Sequence, residues 1–417
     1  MGPQEVLKQL LDQVLVRQLT REESLLESVE GLDELVFLTG FEVEANAHAR
    51  HVFVLDHHSV RDHAVQREGL GGVGKLDEEM QLGLFGQGIF GDHEDTLFVD
   101  VPGEALHRAG DAADLPPVVF LHGASGNLND QRIAFQEKLS GRADLLFVDR
   151  PGHGWSSRGP KTNELPDGQA ATVAALMNRL GIDKAIIVGH SFGGAIAASF
   201  ALNHSEKTVG TVFLAPVSHP WPGGIDWYYN LTPMPVIGRI FSETLALPFG
   251  LLRIGPGTEG VFTPNKPAED YVDRTGVALV LRPWHFRANA VDVERLFDYV
   301  TRVSPLYSEI RTPAVIITGN RDAIVLPRIH SIGLERDLPN AELLWISNLG
   351  HKPDYVATDL AVASVEKIAG SDRDLQAMGK ALEREIADDC FGPVERCLDK
   401  DDWRPGDQMP ESPSEPI

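Results

Sequence analysis

The pentapeptide Gly189-His190-Ser191-Phe192-Gly193 joins an apolar run, Ala185-Ile186-Ile187-Val188, to an Ala-rich stretch that starts at Gly194. The run predicts a buried strand, and the Ala-rich stretch predicts a helix packed through small residues. A G-x-S-x-G between strand and helix marks a sharp turn that holds a serine hydroxyl clear of the backbone. The first glycine lets the strand end close to its neighbours, and the second lets the helix start pack tightly. The serine also lies near a helix N-terminus, where backbone N–H groups favour developing negative charge. The plainer alternative is a glycine-rich turn with a capping serine.

An acid and a histidine follow in order. Ala314-Val315-Ile316-Ile317-Thr318-Gly319 predicts a strand that runs into Asn320-Arg321-Asp322. Leu343-Leu344-Trp345-Ile346 predicts another, leading to Asn348-Leu349-Gly350-His351. A serine hydroxyl is too weakly acidic to attack alone, so a neutral imidazole must take its proton and later give it to the leaving group. A carboxylate must fix that imidazole's tautomer and stabilise the imidazolium. Ser191, Asp322 and His351 fit those three roles. Taken singly, an Asp after a strand often caps the next turn, and a His after glycine is often a polar loop residue.

Pro117-Val118-Val119-Phe120-Leu121 predicts a buried strand ending in His122-Gly123-Ala124. The loop after such a strand lends one backbone N–H to an oxyanion hole, and the residue after the nucleophile lends the other. Those donors are Ala124 and Phe192, with Gly126-Asn127 shaping the loop. His122 is read as a structural, hydrogen-bonded histidine. Asp149-Arg150-Pro151-Gly152-His153-Gly154 follows the strand Leu145-Leu146-Phe147-Val148 and is read as a scaffold turn. Asp149 and His153 are assigned to turn hydrogen bonding rather than to acid–base work.

These landmarks resemble the α/β-hydrolase superfamily, and within it the lidded subgroup of esterases, epoxide hydrolases, dehalogenases and cofactor-free haloperoxidases. The resemblance covers about residues 96–370. It implies an α/β fold: a mostly parallel eight-stranded sheet, helices on both faces and a helical lid after the sixth strand. Epoxide hydrolases and dehalogenases of this fold use an aspartate nucleophile, so serine at 191 leaves acyl transfer.

Composition is that of an ordinary globular chain, with 42% hydrophobic and 24% charged residues in 417. No apolar run is long enough to span a bilayer. The formal charge of −24 disfavours nucleic acid and anionic membranes as partners. Roughly four fifths of the acidic excess lies outside residues 96–370, so it says little about the substrate. The start lacks a signal-peptide pattern. Cys390 and Cys397 suggest neither a disulfide framework nor a metal pattern, and the default location is the cytoplasm.

Residues 1–95 form an N-terminal extension, with an amphipathic pattern from Gln4 to Leu19 and a glycine-rich stretch from Gly69 to Gly91. His48, His51, His57, His58 and His63 fit no standard metal spacing, and a solvated or disordered segment is the favoured reading there. A first strand, Leu97 to Val101, is expected to pair with a hairpin partner at Ala105-Leu106-His107. The lid spans about 217–300. Its aromatic residues, Trp221, Trp227, Tyr228, Trp284 and Phe286 among them, either line an apolar substrate pocket or glue the lid to the sheet. Residues 371–417 begin as a helix through Leu375, Met378 and Leu382, then become a disordered acidic tail after Trp403.

The expected function is a serine hydrolase of a small, hydrophobic, ester-like substrate, acting through an acyl-enzyme without metal or organic cofactor. The same triad also suits perhydrolysis, haloperoxidase-type chemistry or C–C bond hydrolysis. A ligand receptor on a hydrolase scaffold is the alternative of another class. The change of texture near Thr96 points to a start codon assigned too far upstream. Intact mass of the natively expressed protein tests this: a mass matching all 417 residues sinks the idea.

Overall fold

The computed structural model describes residues 114–392 throughout, residues 404–405, and four short strands upstream. Those strands are β1 (Phe37–Leu38), β2 (Phe41–Glu42), β3 (Gly83–Phe85) and β4 (Thr96–Asp100). Six more follow: β5 (Val118–Leu121), β6 (Leu145–Val148), β7 (Ala185–His190), β8 (Thr208–Leu214), β9 (Ala314–Gly319) and β10 (Ala341–Ile346). Helices α1 (Leu128–Leu139), α2 (Pro166–Leu180) and α3 (Phe192–Asn203) separate β5 to β8. Between β8 and β9 lie α4 (Trp227–Leu231), α5 (Ile237–Thr244), α6 (Ala246–Phe262), α7 (Tyr271–Thr275) and α8 (Pro283–Val303). The chain then adds α9 (His330–Asp337) before β10, and α10 (Pro353–Val356), α11 (Thr358–Ile368) and α12 (Leu375–Glu385) after it.

β5 to β10 form six parallel strands, and β4 and β3 extend one edge antiparallel, which makes an eight-stranded sheet in the order β10-β9-β8-β7-β5-β6-β4-β3. Helices α4 to α8 follow β8, the sixth strand of that sheet, where the lid is expected. β4 pairs with β6 on one side and β3 on the other. Ala105-Leu106-His107, the expected hairpin partner, lies outside the described residues, as do the Gln4–Leu19 pattern and the five upstream histidines. β3 falls within the N-terminal extension.

The parallel strands are buried on both faces, as a sheet with helices on each side requires. Alternate residues go to opposite layers. Val119, Leu121, Ile187, Phe213 and Ile316 pack with α2 and α3 on one face. Val118, Phe120, Val188, Val212 and Ile317 pack with α1 and α11 on the other.

The strand order reverses between β5 and its neighbours β6 and β7. The loops after β5 and β7 therefore diverge at a crevice beyond the strands' carboxyl ends, where open α/β sheets bind ligands. α12 forms where its apolar spacing predicts it. Arg404, in the stretch expected to be disordered, donates to Ser347 Oγ at 2.9 Å and to Glu383 at 3.3 Å, so a buried-edge acid holds it. Cys390 is disulfide-bonded. Among the described residues no helix is long and apolar enough to cross a membrane.

The tightest local requirement is at the β7–α3 turn. A Cβ on Gly193 would lie 2.1 Å from Leu121 O, and one on Gly189 would lie 2.4 Å from Gly193 O. These contacts are backbone, which cannot swing aside. Gly193→Ala is expected to destabilise the protein by about 3 kcal/mol or more, read as a lower urea midpoint. An unchanged midpoint would show that the turn tolerates a side chain.

Candidate active site

Ser191 follows β7 and stands at φ 54°, ψ −117° at the start of α3. Its N–H donates to Leu214 O at 3.0 Å, and its carbonyl accepts from Gly194 N–H at 2.9 Å and Val217 N–H at 3.0 Å. Three backbone bonds thus fix a conformation that L-residues rarely adopt. The side chain is at the floor of the crevice, 7% exposed.

Asp322 lies just past β9. Its Oδ1 accepts from the N–H groups of Ile324 and Val325, both at 2.9 Å. Its Oδ2 lies 2.7 Å from His351 Nδ1. The carboxylate is an acceptor, so Nδ1 carries the proton and Nε2 of the neutral ring is left free to accept one. His351 follows β10 and is itself braced from the lid. Its N–H donates to Val261 O at the end of α6 at 3.3 Å, and Gly350 N–H donates to Asn265 Oδ1 at 2.9 Å. His190 Nε2 donates to His351 O at 2.8 Å, and the two rings lie 5.0 Å apart. His190 is the neighbour of Ser191 in the chain, so it ties the two loops together. Among the described residues no hydrogen bond joins Ser191 Oγ to His351. Such contacts are commonly long in unliganded sites and tighten with substrate.

The loop after β5 abuts Ser191: a Cβ on Gly123 would sit 3.0 Å from Ser191 Cβ. Among the described residues, the N–H groups of Ala124 and Phe192 have no hydrogen-bond acceptor. Two donors without partners beside the serine can receive a developing oxyanion. His122 donates from Nδ1 to Gly123 O at 2.9 Å and accepts from Arg150 N–H on Nε2 at 3.1 Å, so both ring nitrogens serve the loop. Asp149 accepts from Leu128 N–H at 2.8 Å and Trp155 N–H at 3.0 Å. His153 lies between Pro151 O and Arg150. All three are turn and loop supports.

The lid aromatics divide between packed and exposed positions. Trp221 packs beside Phe297 and His330. Phe286 meets Tyr228 and Phe241, and Trp227 meets Phe241, within the lid. Trp227 and Trp284 are 67% and 57% exposed. Trp284 instead borders a cleft of about 490 Å³ with Arg158, Glu164, Arg239 and Arg287. Aromatic side chains satisfy packing and surface positions alike, so their number near a lid does not place them.

Asp130, His190 and Asp354 converge behind His351 with metal-ligand groups close together. Lys352 Nζ stands among them, 2.9 Å from an oxygen of each carboxylate, and Tyr271 of the lid donates to Asp130 at 2.7 Å. The ammonium already balances one of the two carboxylate charges. Sequence reasoning passed over Lys352, His190, Asn265, Ser125 and Asn289. A signal existed for Asn289: α8 buries His285, Ala288, Asn289, Asp292, Leu296 and Tyr299, a core-facing stripe at helical spacing that carries polar residues.

The family model described as alpha/beta hydrolase fold matches residues 116–234. The chain is 25% identical over 260 residues to a 2-hydroxy-6-oxo-6-phenylhexa-2,4-dienoate hydrolase of Burkholderia cepacia, covering 60% of this chain and 86% of that protein. It is 28% identical over 262 residues to a 2-hydroxy-6-oxononadienedioate/2-hydroxy-6-oxononatrienedioate hydrolase of Paraburkholderia phymatum, covering 59% and 84%. Among solved structures, a thermophilic esterase from Thermogutta terrifontis superposes with a TM-score of 0.53 at 19% identity, covering 70% of this chain and 99% of that one.

Burial sets the site's response to acid. It drives His122, His153 and His190 well below the ordinary histidine value, and His285 and His330 to about 3. A histidine depressed in the folded state contributes stability above the unfolded value near 6.5, and that stability is lost as pH falls. From pH 7 to 5, His285 and His330 each cost up to roughly 2 kcal/mol, and the other three act in the same direction. Asp149, pushed up to about 6 by burial, works the other way and offsets about 1 kcal/mol. The protein is expected to unfold cooperatively near pH 5 with uptake of several protons, measured by circular dichroism with potentiometric titration. A fold intact at pH 4 would contradict the buried neutral imidazoles.

Proposed function

This chain is a hydrolase of the α/β-hydrolase superfamily, and on that premise we propose that it is a serine hydrolase of small, hydrophobic, ester-like substrates. The observation that carries the reading is the 2.7 Å contact between Asp322 Oδ2 and His351 Nδ1, with Nε2 left to accept a proton. His351 takes the Ser191 proton as Oγ attacks the carbonyl carbon. The N–H groups of Ala124 and Phe192 receive the oxyanion. The intermediate collapses, and the leaving alcohol takes the proton from His351. Water then attacks the acyl-enzyme by the same route and frees the acid.

A second reading is C–C bond hydrolysis on the same triad, favoured by the names of the two dienoate hydrolases similar to this chain. It demands additional polar groups around the substrate to stabilise a carbon leaving group, whereas an alcohol leaves with one proton from His351.

The test is hydrolysis of nitrophenyl esters from acetate to decanoate, set beside cleavage of a 2-hydroxy-6-oxohexadienoate followed by loss of dienol absorbance. Ester turnover is expected to exceed dienoate turnover. Ser191→Ala and His351→Ala are expected to lower kcat by about 10⁴-fold or more, and Asp322→Asn by a similar factor. Wild-type rates in any variant would remove that residue from the mechanism. Dienoate cleavage with no ester turnover would replace the first reading by the second.

A further inference from the structure

Helix α8 of the lid reaches the oxyanion loop at two separate points. At the first, Ser125 N–H donates to Asn289 Oδ1 at 2.7 Å, and Asn289 Nδ2 donates to Ser125 Oγ at 3.1 Å. Ser125 has φ 58°, so a non-glycine residue is held in the left-handed region by these bonds. At the second, Arg150 Nη1 donates to Asp292 Oδ2 and to Gln169 Oε1, each at 3.0 Å. Its other nitrogen reaches Gly123 O at 3.3 Å, and the guanidinium lies over the Phe192 ring at 4.4 Å. Asn289, Asp292 and Arg150 are all within 3% of full burial.

Each contact lands beside a proposed oxyanion donor. Gly123 and Ser125 flank Ala124, and Phe192 supplies the other N–H. A buried amide and a buried ion pair are costly to keep unless fully partnered, and here the partners are the loop itself. Asn289 is 164 residues from Ser125 in the chain. The contact therefore exists only when the lid is seated on the sheet.

We propose that Asn289 and Asp292 are positioning residues for the oxyanion hole, Asn289 acting on Ser125 directly and Asp292 acting on Gly123 through Arg150. Without them the Ala124 N–H loses its aim, because the other lid contact of this loop, from Asn127 Nδ2 to Thr275 O at 2.9 Å, lies three residues further along the chain. The lid thus completes the hole rather than only covering it. This rests on the serine-hydrolase reading above.

The experiment measures the second-order rate of labelling by a fluorophosphonate, which needs no natural substrate. In that step Ser191 Oγ bonds to phosphorus, fluoride leaves with the bonding pair, and the serine proton passes to His351. The phosphoryl oxygen gathers charge in the hole. Asn289→Ala is expected to slow labelling about 10- to 100-fold, as a misaimed donor does. Ser125→Ala keeps its N–H bond to Asn289 and is expected to lose about threefold to tenfold. For a nitrophenyl ester the loss is expected in kcat, with KM within about threefold. Ser125→Ala reads the same clamp if Asn289→Ala does not fold. Labelling within twofold of wild type in either folded variant would overturn the proposal. A raised KM with unchanged kcat would also overturn it, assigning the amide to substrate binding. A wild-type protein that takes no label at Ser191 would instead remove the serine-hydrolase reading itself.

Discussion

Everything at this site depends on how closely two backbones approach where β7 turns into α3. Gly193 sits against Leu121 O, and Gly189 sits against the Gly193 carbonyl. That contact sets the depth of Ser191 relative to the end of β5, and so its distance from the oxyanion loop. It also forces Ser191 to φ 54°. A left-handed non-glycine residue costs about 1–3 kcal/mol and persists only where its surroundings over-determine it. Here β8 does so, through Leu214 O, and the first turn beyond β8 does so again, through Val217 N–H.

The same device recurs around the crevice. Among the described residues, the non-glycine positions with positive φ are Ser125, Ser191, Ala215 and Asn348. Each lies in a loop just past the carboxyl end of a parallel strand, and each is tied by a hydrogen bond to a distant segment. Ala215 N–H donates to Ile317 O, and Asn348 N–H donates to Asn320 Oδ1. The strain is therefore confined to loops at the carboxyl ends of the parallel strands, three of which carry the proposed reacting groups. The strands beneath them are largely buried, and the two apolar layers that grip the sheet supply the rigidity.

How much of this could be read in advance follows from the range of each interaction. The β7–α3 turn, the strand before each triad residue and the parallel character of the sheet are local patterns, and they were legible. Asp322 and His351 were legible as well, because chain order and strand ends together restrict which acid and which histidine can meet. The supports were not. Asn289 meets Ser125, Asp292 meets Arg150 and Tyr271 meets Asp130 across more than a hundred residues each, and no spacing in the chain encodes those pairs. The aromatic residues of the lid could not be divided between pocket and packing for a related reason. Trp227 and Trp284 carry the same side chain as Trp221, yet two are exposed and one packs against His330. Burial of an aromatic is decided by the partner surface, which the sequence states elsewhere.

The supports also assign the lid a role beyond closure. α6 and the residues after it hold the His351 loop, through Val261 O and Asn265. α8 holds the oxyanion loop, through Asn289 and Asp292. The two halves of the candidate site, the proposed base and the proposed oxyanion hole, are thus braced by different helices of one insertion. A helix that packed against the sheet by apolar contact alone could slide by a fraction of a turn at small cost, since such contacts are non-directional. Buried hydrogen bonds and an ion pair cannot, because any shift leaves a desolvated charge or amide without its partner. The polar stripe on α8 therefore fixes the register of the lid on the sheet, while its outward face, with Trp284 and Phe297, is left without that constraint. In such an arrangement the lid's outer surface and inner pocket can change with little effect on chemistry, provided that the inward amide and carboxylate stay in place.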